Sequence, residues 1–147
     1  MIEPRTPKKP SAPGKPRKLT ARGMKAKGDN FERELAAFMS KHLGLNIERA
    51  PLSGGGVIGQ LSGGADLLGT PSIHVEAKRV ERLSFPEAMR QAEASLAKRR
   101  CPDNAVIINR RNRMMTGDSF TCMRLDVFLP FYLAWLREQG LVKRITE

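Results

Sequence analysis

Apolar positions along the chain fall into blocks with two different periods, and each change of period predicts a change of element. Phe31, Leu35, Phe38, Met39 and Leu43 recur three or four apart, so residues 30–43 read as an amphipathic helix with one apolar face. Asp29 followed by Glu32 resembles a capping box at its start, and Gly44 stops it. A short strand is expected at Asn46–Ala50, then a glycine-rich loop at Ser53–Gly64. Two strands follow, Ala65–Leu68 and Ser72–Arg79, joined by a turn at Gly69-Thr70-Pro71. Ser84-Phe85-Pro86-Glu87 opens a second helix with a capping box and an early proline, and it runs to about Arg100. The run Ala-Val-Ile-Ile within Asn104–Asn109 reads as a buried central strand. After the loop Arg110–Ser119 come a strand at Phe120–Leu125 and a helix capped by Asp126 that extends to Gln139. This order predicts an α/β sandwich with a mixed sheet of about five strands, not a repeated βαβ wheel.

A chain of 147 residues suits one domain with a real core. No apolar run approaches the length of a membrane span, so no membrane partner is expected. The basic N-terminus has no apolar stretch behind it and does not read as a secretory signal. Cys101 and Cys122 lie far apart with no metal-ligand spacing, so a reduced, cytoplasmic chain is the expectation.

Charge changes the picture more. The net charge is +11, but residues 1–27 hold nine Lys/Arg against a single acid, Glu3, so most of the excess sits in a tail. Pro4, Pro7, Pro10, Pro13 and Pro16 fall at every third position there, the period of a polyproline II helix. With almost nothing apolar to bury, residues 1–27 read as a disordered basic tail and residues 28–147 as the folded domain. A polyanion such as DNA is the partner this charge suits best, since phosphate neutralisation drives such binding. A solubilising extension and a ligand for an SH3-like groove are the other readings of the same tail.

Candidate chemistry concentrates in Asp66 and Glu76-Ala77-Lys78. Alternation puts His74, Glu76 and Lys78 on one strand face, and the turn at residues 69–71 folds Asp66 back beside them. Two carboxylates with open positions suit Mg²⁺, which takes oxygen ligands and keeps several waters; Mn²⁺ would substitute. A neighbouring lysine orients water and stabilises charge building on a phosphate. Spacing alone does not separate this site from a solvated strand pair with surface ion pairs. On the first helix, Glu32 lies about 55° from the centre of the apolar face and Glu34 about 105° away. Glu32 is thus the acid held toward the sheet, either near a cation or paired with Arg33 or Arg49.

Taken in order, Lys27-Gly28-Asp29-Asn30-Phe31-Glu32-Arg33-Glu34-Leu35, then Arg49 with its Ser-Gly stretch, Asp66, and Val75-Glu76-Ala77-Lys78 resemble the archaeal-type Holliday junction resolvases of the PD-(D/E)XK nuclease superfamily. Small phage nucleases share the pattern. The resemblance covers roughly residues 27–108 and implies a restriction-endonuclease-like sandwich. It also implies a metal-dependent homodimer that cuts four-way junctions, acting in the host cytoplasm if phage-encoded. Carried over by position, Asp66, Glu76 and Glu32 would hold the metal, Lys78 would be the catalytic lysine, and Arg33 and Arg49 would contact DNA phosphates. Ala65 stands where the family has proline, and the loop 53–64 is longer and richer in glycine than the pattern expects.

Further DNA contacts are expected from Gln91 on the second helix, from Ser53 and Gly54, and from the loop residues Arg110, Arg111 and Arg113. Each also has a plain reading as a solvated surface residue. His74 is expected as a partly buried strand histidine, with an approach to the acid site as the other reading. The glycine loop is not a Walker-type phosphate loop, since no Gly-Lys-Ser/Thr follows. Apolar residues occupy almost every side of the final helix, more than one buried stripe requires, which suggests a subunit interface. The rival functions are a phage nicking or restriction-type nuclease of the same superfamily and a non-catalytic DNA-binding or packaging protein.

Overall fold

The computed structural model describes residues 18–51 and 64–143. Most of the expected basic tail, and Ser53 and Gly54 with the rest of the glycine-rich loop through residue 63, lie outside the described residues.

The first helix, α1, is Ala21–Leu43, so it starts at Ala21 rather than Asn30. Thr20 is the N-cap: its side chain accepts a hydrogen bond from the Gly23 N–H at 3.2 Å. The added turns carry Ala21, Arg22, Met24, Lys25 and Ala26 toward solvent, which is why no buried face marked them in the sequence. Gly44 closes the helix in the left-handed region at φ 67°, with its N–H bonded to the Ser40 carbonyl.

Past α1 the chain forms β1 (Glu48–Arg49), β2 (Leu67–Leu68), β3 (Ile73–Lys78), helix α2 (Phe85–Lys98) and β4 (Asn104–Asn109). A 3₁₀ turn at Thr116–Asp118, β5 (Phe120–Cys122) and helix α3 (Leu125–Glu138) complete the described fold. Strands β3 and β4 run parallel across their full lengths, and β5 pairs antiparallel on the other side of β4. The α2 crossover between β3 and β4 is what a parallel pair requires.

Among the described residues five strands form, but not one sheet: β1 and β2 make a separate antiparallel pair, and β3-β4-β5 make a three-stranded sheet. The expected continuous sheet breaks where Asp66 meets β3. A single backbone bond joins them there, Asp66 N–H to the Val75 carbonyl at 3.0 Å. The next donor along the edge, the Ala77 N–H, goes to the Asp66 carboxylate at 2.7 Å instead of to a neighbouring strand. Gly69 permits the return turn, since at φ +85° a Cβ would lie 2.2 Å from the Asn46 carbonyl oxygen.

Two hydrophobic layers hold the helices to opposite faces of the sheet. Phe31, Leu35 and Ala36 of α1 pack with Ile47, Leu67, Val75, Val106 and Ile108. Ala88, Met89, Ala92 and Leu96 of α2 pack with Ala105 and Ile107. The alternate residues of β4 thus serve both layers, which is why that strand is a continuous apolar run. Phe38 and Leu43, expected in the α1 core, are instead exposed beside a cleft of about 350 Å³ that Phe131 also lines.

Helix α3 departs most from an ordinary surface helix, because none of its residues is buried. It is not capped by Asp126: the N-cap is Arg124, which forks onto Glu93 of α2 with two 2.8 Å bonds. Among the described residues, no helix is long and apolar enough to cross a membrane.

Candidate active site

Strand alternation works as expected on β3. His74, Glu76 and Lys78 share one face and form a bonded row, with His74 Nε2 3.1 Å from Glu76 Oε1 and Lys78 Nζ 3.2 Å from Glu76 Oε2. Asp66 joins them from the edge: its main chain bonds Val75, and its side chain bonds the Ala77 N–H. One carboxylate therefore comes from the strand and one from the segment that crosses its edge. Both are anchored on the same stretch of backbone.

The electrostatics of the two acids diverge. Burial, reinforced by the negative charges of Glu76 and Glu32, pushes the Asp66 carboxyl from its ordinary value of 3.8 up to about 7, against the opposing pull of the Ala77 N–H and Lys78. Burial pushes Glu76 upward too, but the hydrogen bond with His74 and the charge of Lys78 outweigh it and hold Glu76 below its ordinary value. Glu76 is thus the acid that stays ionised, and Asp66 is the one whose charge is costly. Such a pair, with open solvent-facing positions, is a donor set that a divalent cation fits, since the cation offsets the repulsion that raises Asp66.

Glu32 is positioned by α1, with its side chain 17% exposed where Glu34 is 52% exposed, matching the helical-wheel separation of the two. It contributes to the field at Asp66, but its own carboxylate is taken by Arg49, whose Nε lies 2.5 Å from Glu32 Oε2. The same guanidinium reaches Asp29 at 2.6 Å. Arg49 thus locks β1 to α1 through two acids. Among the described residues, no group of three or more His, Cys, Asp or Glu side chains is arranged to hold a metal. Asp66 and Glu76 lie together at β3, while Glu32, the third expected carboxylate, is paired with Arg49.

The other expected DNA contacts are scattered. Arg33 is exposed and bonds its helical neighbour Asn30, at 3.3 Å. Gln91 sits on α2 and bonds Glu87 at 3.1 Å, on the helix surface rather than at the acids. Arg110 is largely enclosed: it lies 4.8 Å above the Phe31 ring and bonds Glu34 and Thr116. Arg111 is exposed over the Phe120 ring at 5.2 Å, and Arg113 is exposed at φ 62°. The structure brings Glu32, Arg49, Asp66, Glu76 and Lys78 together and leaves Arg33, Gln91, Arg111 and Arg113 outside that group. The sequence gives no sign of Asp29 as a partner of Arg49, and it places His74 on the face of Glu76, with an approach to the site as one reading, without specifying the bond between them. The shared strand face was the available signal for the second.

A family model described as "Phage putative PDDEXK endonuclease" matches residues 23–122. The chain belongs to this family. The match runs from the first turn of α1 through β5 and so includes every residue of the acid cluster. No curated protein and no solved structure matches the chain. Membership makes the chain a nuclease of the PD-(D/E)XK superfamily, and such nucleases generally use divalent metals.

Proposed function

We propose that this family member is a Mg²⁺-dependent endonuclease that hydrolyses DNA phosphodiester bonds, with Mn²⁺ able to substitute, and that it resolves four-way or other branched DNA as a homodimer in the host cytoplasm. The observation that carries the cleavage chemistry is the joint placement of Asp66, Glu76 and Lys78 around the edge of β3, with Asp66 raised to about 7 by burial and by its acidic neighbours. Asp66 and Glu76 would hold the ion. When bound, a divalent ion supplies charge neutralisation at the phosphate and a more acidic water.

The chain's own residues supply the rest. Lys78 is partly exposed, so its ammonium can turn from Glu76 to an incoming phosphate and stabilise the charge that builds there. Arg49 holds Glu32 and Asp29 in place and offers the same guanidinium to a flanking phosphate. Arg33, Arg111, Arg113 and the basic residues before Ala21 would neutralise phosphates further along the DNA. Branched DNA as the substrate rests on the resemblance to junction resolvases. The printed family description names an endonuclease only, and it suits a nicking or restriction-type enzyme equally well.

The test is incubation with a synthetic four-way junction, a flap and a linear duplex, with and without Mg²⁺. Metal-dependent cutting that is lost in Asp66→Ala and Glu76→Ala, with DNA binding retained, is the expected result. A junction rate well above the duplex rate supports the branched substrate. Unchanged cutting in both variants would overturn the site, and salt-sensitive binding without cutting would leave a DNA-binding protein.

A further inference from the structure

We propose that His74 is a positioning residue that holds the Glu76 carboxylate in its ion-binding orientation; this rests on the reading of Asp66 and Glu76 as the ion-binding pair. His74 is 2% exposed, one of two buried polar or charged residues among those described, the other being Asn109. Its Nε2 lies 3.1 Å from Glu76 Oε1, and its backbone pairs in register with Ala105 of β4. Packing at this strand position would be served equally well by a hydrocarbon side chain, as it is at Val75. A buried imidazole costs free energy unless its polar atoms are bonded, and Glu76 is the partner that offsets that cost.

The two anchors on Glu76 are not equivalent. Lys78 is 35% exposed and has four flexible methylenes, so it exchanges readily between Glu76 and a phosphate. When it turns to a phosphate, Glu76 loses the contact at Oε2. The contact at Oε1 comes from a ring that is enclosed and cannot swing away. A carboxylate terminal torsion is broad and weakly restrained on its own, so a fixed donor at one oxygen sets the direction of the other. His74 therefore keeps Glu76 aimed toward Asp66 while Lys78 is engaged elsewhere. Groups that orient ion ligands in this way are worth about 10–100-fold in ion affinity or activity.

The experiment titrates full-length protein with Mn²⁺ and reads free Mn²⁺ by electron paramagnetic resonance, with no DNA present. Thermal melts and cutting at varied Mg²⁺ run alongside. His74→Leu fills the space and removes the donor; His74→Gln keeps an N–H donor. The expected result is a 10–100-fold weaker Mn²⁺ half-saturation in His74→Leu, the same shift in the Mg²⁺ dependence of cutting, and a smaller drop in rate at saturating ion. His74→Gln should recover most of the affinity, and in a Glu76→Gln background His74→Leu should add little further loss. Mn²⁺ affinity within twofold of the parent in His74→Leu would overturn the proposal. So would a His74→Gln that melts like the parent yet binds as poorly as His74→Leu, and this comparison decides the matter even if His74→Leu does not fold. Parent protein that binds Mn²⁺ but cuts no DNA would defeat the endonuclease reading alone, whereas parent protein that binds no Mn²⁺ would defeat this one.

Discussion

At the scale of single residues, Asp66 carries the largest electrostatic cost. Its carboxyl sits at about 7 because burial and the charges of Glu76 and Glu32 oppose ionisation. An unfolded Asp releases its proton near 4, so between about 4 and 7 the folded chain binds the extra proton. The stability this confers is fully present below about 4 and is lost as pH rises through 7. Ion-free protein should therefore melt at a lower temperature at pH 8 than at pH 5.5, by an amount worth a few kcal/mol. Asp66→Asn should flatten that slope and raise the pH 8 melting temperature while abolishing cutting; an unchanged slope would show that Asp66 is not the group responsible. Arg49 makes the opposite case, a cation enclosed between Glu32 and Asp29 with its side chain 13% exposed. Arg49→Ala leaves two acids facing each other and should cost about 3 kcal/mol in urea unfolding, with Arg49→Lys recovering part of it. A loss under about 1 kcal/mol would mark the contact as an ordinary surface pair. The sequence made Asp66, Glu76 and Lys78 legible because alternation and one turn suffice to bring them together. It offers Arg49 as one of two arginine partners for Glu32 but does not choose between them or reveal Asp29 as a second partner, since those contacts need β1 docked on α1.

At the scale of elements, one buried side chain of α1 sets the position of Glu32, and with it Arg49. Phe31 is 0% exposed, packs in the layer between α1 and the sheet, and supports the Arg110 guanidinium on its ring. Phe31→Ala should cost about 3–5 kcal/mol. Because Glu32 is the next residue on the same turn, cutting should fall even under conditions where the variant is fully folded. A variant destabilised by that amount with parental cutting would separate α1 from the site. The elements that could be read in advance are those whose burial is one-sided or complete. Strand β4 was found to the residue because both of its faces are covered, and Ser84 with Pro86 marked the start of α2. The first turns of α1 were missed because they bury nothing. The split of the strands into two sheets was missed because it depends on the Ala77 N–H choosing a carboxylate over a neighbouring strand, a competition that hydrophobic patterning does not record.

At the scale of the whole molecule, α3 leaves a broad apolar surface uncovered. Phe128, Tyr132 and Trp135 form a stacked row with ring centroids 5.6 and 6.0 Å apart, each ring more than two-fifths exposed. Leu125, Leu129 and Phe131 widen it. Aromatic side chains each bury 150–250 Å² when covered, so a few of them meeting their counterparts across a two-fold axis approach the area of a stable interface. A four-way junction presents two equivalent strands to cut, and a two-fold pair of active sites would match it. The expected result is a dimer by sedimentation velocity at micromolar concentration, converted to monomer by Tyr132→Glu combined with Trp135→Glu. Because α3 begins after the last residue of the acid cluster, the monomeric variant should keep Mn²⁺ binding. It should still nick linear or branched DNA while losing paired cuts on the junction. A parent that is monomeric at every concentration would remove the dimer from the proposed function. Paired cutting retained by the monomeric variant would show that the two incisions are made by independent molecules.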